Sequence, residues 1–275
     1  MKSDAGRPAI LANPHADRVR QVAGLVGRSA RRRSGLILVE GPQAVRELIR
    51  YQPGAIRDIY LTAQAAHLHN DIADEAQQVT RWVHEVTPEV AQAMSGDAQG
   101  VIGVARAEAI SQEIPDDLGP HPALVLIAQG RDPGNVGTII RTSDAMGASG
   151  VLTVNGTVDC ASPKVIRASA GSVFHLPIIP FPSFESATVW ARQRGVTMVG
   201  TSGGEGTETL ASPTLTPVLL RAHMWVLGNE AAGLSATELD QCDLRVRIPM
   251  TGLAESLNVS SAAAMCLWES QRARA

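Results

Sequence analysis

The sequence predicts an α/β protein in two parts: a C-terminal domain built on a parallel sheet, and a smaller α/β domain before it. Three observations carry this expectation. The chain has 275 residues, above the common size of one domain. Short continuous apolar runs alternate with helical stretches along most of it, the pattern of strands covered on both faces. The stretch from Glu108 to Pro122, with three prolines, two adjacent aspartates and a glycine, interrupts that alternation and reads as a linker. The expected organisation is therefore a tail over 1–13, a first domain over 14–107, a linker over 108–122 and a second domain over 123–275.

Taken in order, Pro14 to Ser34 reads as a basic helix and Leu36 to Glu40 as a short buried strand stopped by Gly41-Pro42. A helix follows from Gln43 to Tyr51, with Val45, Leu48 and Ile49 on one face. Strand-like runs at Ile56 to Leu61 and Trp82 to Val86 flank a helical stretch from Ala66 to Gln78, and a brief helix from Pro88 to Met94 precedes a strand at Val101 to Ala105. Beyond the linker come a strand from Ala123 to Ala128, a helix from Val136 to Met146, a strand from Val151 to Val154 and a helix from Lys164 to Ser172. A strand near Leu176 to Ile179, a helix from Phe184 to Arg194 and strands at Val196 to Gly200, Met224 to Gly228 and Leu244 to Ile248 continue the alternation. The last element is a helix from Ser256 to Arg272, with Ser256 as its expected N-cap.

Hydrophobic residues make up 44% and charged residues 19%, the balance of a folded protein and not of a disordered one. Aromatics are 3%, which argues against a nucleic-acid site made mainly of stacking platforms. Cys160, Cys242 and Cys266 are odd in number and form no C-x-x-C pair, which fits structural thiols in a reducing compartment. With no signal-peptide core at the N-terminus and no run near the roughly 20 apolar residues of a membrane span, a cytoplasmic protein without a membrane partner is expected. The net charge is −3, but residues 1–50 hold 10 Lys/Arg against 4 Asp/Glu and the rest 14 against 23. That asymmetry centres on Arg28, Arg31, Arg32 and Arg33, which suit either contact with a phosphate backbone or a solvated helix face.

Three loops stand where strands end. The first, Gln129-Gly130-Arg131-Asp132-Pro133-Gly134-Asn135, enters a helix carrying Arg141. Open α/β sheets place ligands at such carboxyl ends, although Asn135 alone also reads as a plain N-cap and Arg141 as a surface charge. The second, Leu227-Gly228-Asn229-Glu230-Ala231-Ala232-Gly233-Leu234-Ser235, has glycines that permit close backbone approach. The third runs Ile248-Pro249-Met250-Thr251-Gly252-Leu253-Ala254-Glu255-Ser256-Leu257-Asn258-Val259-Ser260. Competing templates are absent: no G-x-G-x-x-G opens a helix, Ser202-Gly203-Gly204-Glu205-Gly206 lacks the lysine of a phosphate loop, and no G-x-S-x-G elbow occurs. The seven histidines, His175 and His223 among them, show no metal spacing, so no metal is expected.

In order and spacing the three loops resemble the motifs of the SpoU/TrmH family within the SPOUT class of RNA 2'-O-methyltransferases. The resemblance covers Ala123 to Arg272, with Ala231 standing where the family often has glycine. The N-terminal part is similar to the family's substrate-binding domain, of ribosomal-protein-like fold, in the phrase Leu38-Val39-Glu40-Gly41-Pro42-Gln43-Ala44-Val45. The resemblance implies a trefoil knot in the catalytic domain, a homodimer, and S-adenosylmethionine clasped by Thr201, Ser202, Gly203, Leu227, Gly228, Asn229, Gly233, Ile248, Met250 and Leu257. It further implies Arg141 as the catalytic residue, with Asn135, Glu230, Ser256 and Asn258 around it; with an RNA substrate, the charge cluster Arg28, Arg31, Arg32 and Arg33 is expected to contact it, and Arg167 to lie near it, or else to be a helix-surface charge. Members with an N-terminal extension, the thiostrepton-resistance type included, commonly act on large-subunit ribosomal RNA, which makes that the expected substrate. Transfer RNA is the alternative substrate, and a ribosome-associated RNA-binding protein without catalysis the alternative class. A guanidinium is a poor general base, so Arg141 either assists deprotonation or fixes the target phosphate and ribose by a two-pronged contact.

Overall fold

The computed structural model of the chain describes residues 10–113, 118–119, 122–204, 207–229 and 233–274. The chain divides into two compact units, Met1–Ile110 with Ala161–Phe174, and Ser111–Cys160 with His175–Ala275. The segment Ala161–Phe174, expected to belong wholly to the second domain, thus groups with the first. Its side chains and backbone explain why: Arg167 pairs with Glu40 at 2.6 Å and Asp97 at 2.9 Å, and the Gln52 amide donates to the Phe174 carbonyl. Residues 1–9 of the expected tail, and 114–117 and 120–121 of the expected linker, lie outside the described residues.

The first unit runs α1 (Asp17–Gly24), α2 (Arg28–Ser34), β1 (Leu36–Glu40), α3 (Pro42–Tyr51), β2 (Ile56–Thr62), α4 (Ala63–Leu68), α5 (Asn70–Val79), β3 (Val83–Val86), α6 (Pro88–Met94) and β4 (Val101–Arg106). Its sheet has the order β1-β4-β2-β3, with β4 antiparallel to β1 and β2 and β3 parallel to β2. Val19, Val22 and Leu25 from α1 and its C-terminal turn, Val90 and Met94 from α6, and Leu38, Tyr60 and Ile102 from the sheet form one core. The single helix expected over 14–34 is two helices. Gly24 and Gly27, poor helix formers, flank the break, where Leu25 turns into the core and Gly27 N–H donates to Gly24 C=O at 3.0 Å. The stretch 66–78 is likewise split, into α4 and α5, by a non-helical His69 at φ −126° and ψ 58°.

The second unit runs β5 (Ala123–Ile127), α7 (Pro133–Ala145), β6 (Gly150–Val154), then, after α8 (Pro163–Ala168) of the first unit, β7 (Ile178–Phe181), α9 (Phe184–Gln193) and β8 (Thr197–Thr201). It continues with β9 (Glu208–Thr209), α10 (Thr216–Leu219), β10 (His223–Leu227), α11 (Ala236–Asp240), β11 (Leu244–Arg247) and α12 (Val259–Arg274). The short elements β9, α10 and α11 lie in stretches without a readable periodicity. The helix expected over 164–172 stops at Ala168, because Ala170 and Gly171 take φ of 52° and 93°.

The seven strands form one parallel sheet in the order β7-β6-β5-β10-β8-β11-β9. Leu124, Leu126, Met224 and Val226 face α9 through Ala187 and Ala191. Alternate residues face the other way, where Trp225 Nε1 donates to Ser270 Oγ of α12 at 2.8 Å. From β5 the chain steps outward through β6 and β7 and then returns to the far side of β10. The boundary between β5 and β10 is therefore a topological switch point, the place where parallel sheets open a crevice at their carboxyl ends. Among the described residues, no helix is long and apolar enough to cross a membrane.

Candidate active site

The carboxyl ends of the adjacent strands β10, β8 and β11 frame a cleft of about 250 Å³. Thr201, Ser202 and Gly203 leave β8, Gly228, Asn229 and Gly233 belong to the loop after β10, and Ile248, Met250, Ser256 and Leu257 come from the loop after β11. Nine of the ten residues expected to clasp a cofactor thus line one cleft. Leu227 does not. It is the last residue of β10, fully buried, with its carbonyl accepting from Ala128 N–H at 2.9 Å. Glu230 lies outside the described residues.

Local chemistry explains the cleft's shape. Asn229 and Gly233 exchange two backbone hydrogen bonds of 3.0 and 2.9 Å, which fold the loop back on itself. A Cβ on Gly228 would stand 2.2 Å from the Gly233 carbonyl carbon and 2.4 Å from Leu234 N, so only glycine permits this closure. The Thr201 hydroxyl donates to the Val226 carbonyl at 3.0 Å and Ser202 N–H to the Val246 carbonyl at 2.9 Å, which tie the three strand ends together. The walls are apolar at Leu234, Val246, Ile248 and Leu257. Glu255 is the one charged side chain among the described lining residues, and no arginine or lysine joins it. This donor set suits a compact ligand with an apolar ring, a polar edge and a positive charge. S-adenosylmethionine has all three, as adenine, amide-seeking nitrogens and a sulfonium, and the residues present fit it.

The helix α7 meets the cleft's third loop through side chains. Asp132 caps α7, its carboxylate accepting from Asn135 N–H at 2.8 Å. Asn135 is therefore the third residue of the helix, and the plain N-cap role falls to Asp132. Spared from capping, the Asn135 amide oxygen accepts from Asn258 Nδ2 at 2.9 Å. Asn258 Oδ1 in turn accepts from Ser260 N–H at 2.9 Å and from its hydroxyl at 2.6 Å. Asn258, not Ser256, thus caps α12, which begins at Val259, and Ser256 stays available to line the cleft. Arg141 lies about 9 Å further along α7 than Asn135; it is exposed and has no ion-pair or hydrogen-bond partner among the described residues.

The basic cluster separates into two kinds of arginine. Arg28, Arg32 and Arg33 are exposed on α2. Arg31 is 5% exposed, and its guanidinium donates to the carbonyls of Leu25 at 2.9 Å and Val26 at 2.6 Å. It closes the break between α1 and α2 by satisfying carbonyls that the broken helix leaves open, which corrects its expected place on an RNA-facing surface. Arg167 is held by Glu40 and Asp97. Sequence alone singles out neither Glu255, whose only signal is its place inside the third loop, nor Trp82, which reads as the start of a strand. Burial pushes the thiols of Cys160, Cys242 and Cys266 up to about 12, so none is a nucleophile at neutral pH.

Comparison with known proteins adds names to this geometry. Residues 122–268 match the SpoU rRNA Methylase family, and residues 38–110 match the family described as RNA 2'-O ribose methyltransferase substrate binding. The chain is 32% identical to a 23S rRNA (guanosine-2'-O-)-methyltransferase, RlmB, of Bordetella pertussis, over 86% of this chain and 97% of that protein. It is also 32% identical to a 23S rRNA (uridine(2479)-2'-O)-methyltransferase of Streptomyces viridochromogenes, over 94% of this chain and 90% of that one. Among solved structures, an AdoMet-bound rRNA methyltransferase from Sinorhizobium meliloti superposes with a TM-score of 0.81 at 27% identity, covering 96% of this chain and 97% of that one.

Proposed function

Since the chain belongs to the SpoU rRNA Methylase family, we propose that it transfers a methyl group from S-adenosylmethionine to a ribose 2'-hydroxyl of large-subunit ribosomal RNA. The single observation that carries the reading is the cleft at the ends of β10, β8 and β11, built from the loops that the sequence marks for the cofactor. The relatives that act on 23S rRNA, and the substrate-binding match at residues 38–110, favour ribosomal over transfer RNA. The same reading makes the protein a cytoplasmic homodimer with the family's knotted loops. Exposed Leu253, Met265 and Trp268, on the third loop and on α12, are apolar surface that a second copy would cover.

S-adenosylmethionine supplies an electrophilic methyl group on a sulfonium, and the chain's own residues do the rest. Glu255 would offer its carboxylate to the positive charge, and the apolar walls at Leu234, Val246, Ile248 and Leu257 would hold the adenosine part. The Asn135–Asn258 bond fixes α7 against the third loop, so that Arg141 keeps a constant register with the cleft. Arg141 brings a planar donor fork suited to one phosphate of the target nucleotide, which aligns the 2'-oxygen for in-line attack. Holding two reactants in line supplies a large part of the acceleration. A guanidinium only donates, so the hydroxyl proton leaves to a phosphate oxygen or to water.

Titration calorimetry of the full chain with S-adenosylmethionine, and mapping of 2'-O-methylated positions in total RNA with and without the protein, test the reading. The expected results are cofactor binding that Gly228→Ala weakens by at least about tenfold, since its Cβ cannot be placed beside Leu234 N, and one new methylated position in large-subunit RNA. No cofactor binding by the folded wild-type chain, or an unchanged methylation map, overturns it.

A further inference from the structure

We propose that the N-terminal unit captures one unstacked nucleobase of the RNA in a hollow between α1, α2 and the sheet, with arginines at its rim holding the neighbouring phosphates. This rests on the RNA-methylation reading and adds how the substrate is gripped. The hollow measures about 360 Å³, within the range of small-ligand sites and far too narrow for a duplex. Its floor is apolar, formed by Val22, Leu25, Leu36, Tyr60 and Val104. Its rim carries Arg18, Arg20, Arg33 and Arg57 against one lining carboxylate, Asp58, while Arg20 also pairs with Asp17 just outside it. That carboxylate is already engaged by Arg18, by Arg57 at 3.6 Å and by His84 at 2.9 Å, whereas Arg33 has no partner among the described residues. A solvated helix face would present the charges without the concave apolar floor.

A second feature extends the path. The hollow shares Ser34, Leu36 and Arg57 with a neighbouring one that reaches Trp82 and Arg106. From Tyr60 in the first hollow to Trp82 in the second, through His84, the rings form a row with centroid separations of 5.0 and 6.5 Å. Guanidinium groups lie at both ends, Arg18 over Tyr60 at 5.4 Å and Arg81 over Trp82 at 4.7 Å. Trp82 is 49% exposed, so the row ends in a half-exposed indole with the Arg81 guanidinium laid over it, a planar surface on which a second base can rest. Apolar floors, aromatic rings and guanidinium planes are what splayed-out bases of single-stranded RNA rest on, and base pairs in a helix do not reach such surfaces. The occupant is therefore a single-stranded loop, and the site reads base faces more than sequence.

The test uses the full chain and two probes: a fluorescent ten-nucleotide single-stranded RNA, and the same strand annealed to its complement. Ala30→Phe fills the hollow, which Ala30 lines, and leaves every charge in place. Single strand is expected to bind more tightly than duplex. Ala30→Phe and Trp82→Ala are each expected to weaken single-strand binding by about tenfold with the salt dependence unchanged, and Arg33→Ala to lower the salt slope by about 0.7. Ala30→Ser, which keeps the hollow open, should bind as wild type, and should Ala30→Phe fail to fold, Trp82→Ala and Arg33→Ala decide the matter alone. Duplex binding as tight as single-strand binding, or wild-type affinity in the plugged or Trp82 variant, overturns the proposal. Cofactor calorimetry on the same variants stays at the wild-type value if only the RNA site is touched. A wild-type chain that binds no cofactor would instead sink the methyltransferase reading.

Discussion

Arg31 and its neighbours on α2 are the same residue type within two turns of helix, yet the structure gives them opposite work, and substitution separates the two. In Arg31→Ala the carbonyls of Leu25 and Val26 are deprived of a charged donor. Hydrogen bonds to charged groups contribute roughly 1.5–3 kcal/mol each. Val26 is 55% exposed, so water recovers most of its bond, whereas Leu25 is 4% exposed and its carbonyl stays dry. The net destabilisation is then about 2–3 kcal/mol, near one full bond and a fraction of a second. For a unit of this size that lowers the unfolding midpoint by about 10 °C. Arg28→Ala, Arg32→Ala and Arg33→Ala combined touch only exposed side chains and should leave the midpoint within a degree or two, while flattening the salt dependence of RNA binding by about 0.7 for each arginine that touches a phosphate. Scanning calorimetry and salt titrations on both variants, the latter well below the lower midpoint, make the comparison. Arg31→Ala melting with the wild type would refute the structural role, and a triple variant with an unaltered salt slope would leave α2 as a merely solvated face.

Two further outcomes follow from single side chains. Arg141→Ala should keep cofactor affinity, because Arg141 is absent from the cleft lining, and should abolish most single-turnover methyl transfer at saturating RNA; Arg141→Lys should rescue little, and full rescue would reduce the residue to a point charge. His223 is buried and neutral, with Nδ1 donating to the Arg221 carbonyl and Nε2 accepting from Ser270 Oγ, and burial lowers its pKa to about 4. The unfolded chain, with an ordinary histidine near 6.5, binds the proton first, so this contribution is complete above about pH 6.5 and is lost as pH falls toward 4, by about 3 kcal/mol in all. Urea unfolding between pH 7 and 4 reads that slope, and His223→Leu should flatten it; an equally steep acid limb in the variant would assign the effect to other groups.

Elements whose signals are local were legible in the sequence. The strand Leu36–Glu40 and the helix Pro88–Met94 have the expected bounds, because an apolar run ended by Gly41-Pro42 and a proline-led turn behind Thr87 need no distant information. Breaks inside helices were not legible, since Leu25 leaves the helix to enter a core that exists only once α6 and the sheet are in place. Strand order escaped for the same reason. Apolar runs mark strands as buried without saying that the chain crosses from β7 to the far side of β10.

The site divides along the same line. The family resemblance of the loops named, as cofactor residues, nine of the fifteen described residues that line the cleft, and at Gly228 the physical reason is plain, since close backbone approach there demands glycine. Partnership between charges or amides is not visible that way. Arg31, Arg33 and Arg167 look alike in sequence, but one is spent on backbone carbonyls, one stands free among the described residues and one is held by Glu40 and Asp97. Asn135 shows the rule most plainly. Read locally it is a capping residue; in the structure Asp132 takes the cap, and this releases the Asn135 amide to bond Asn258, 123 residues away. An asparagine at the entrance of a helix therefore signals function only when the residue three before it can cap in its place, and the sequence here places an aspartate at that position.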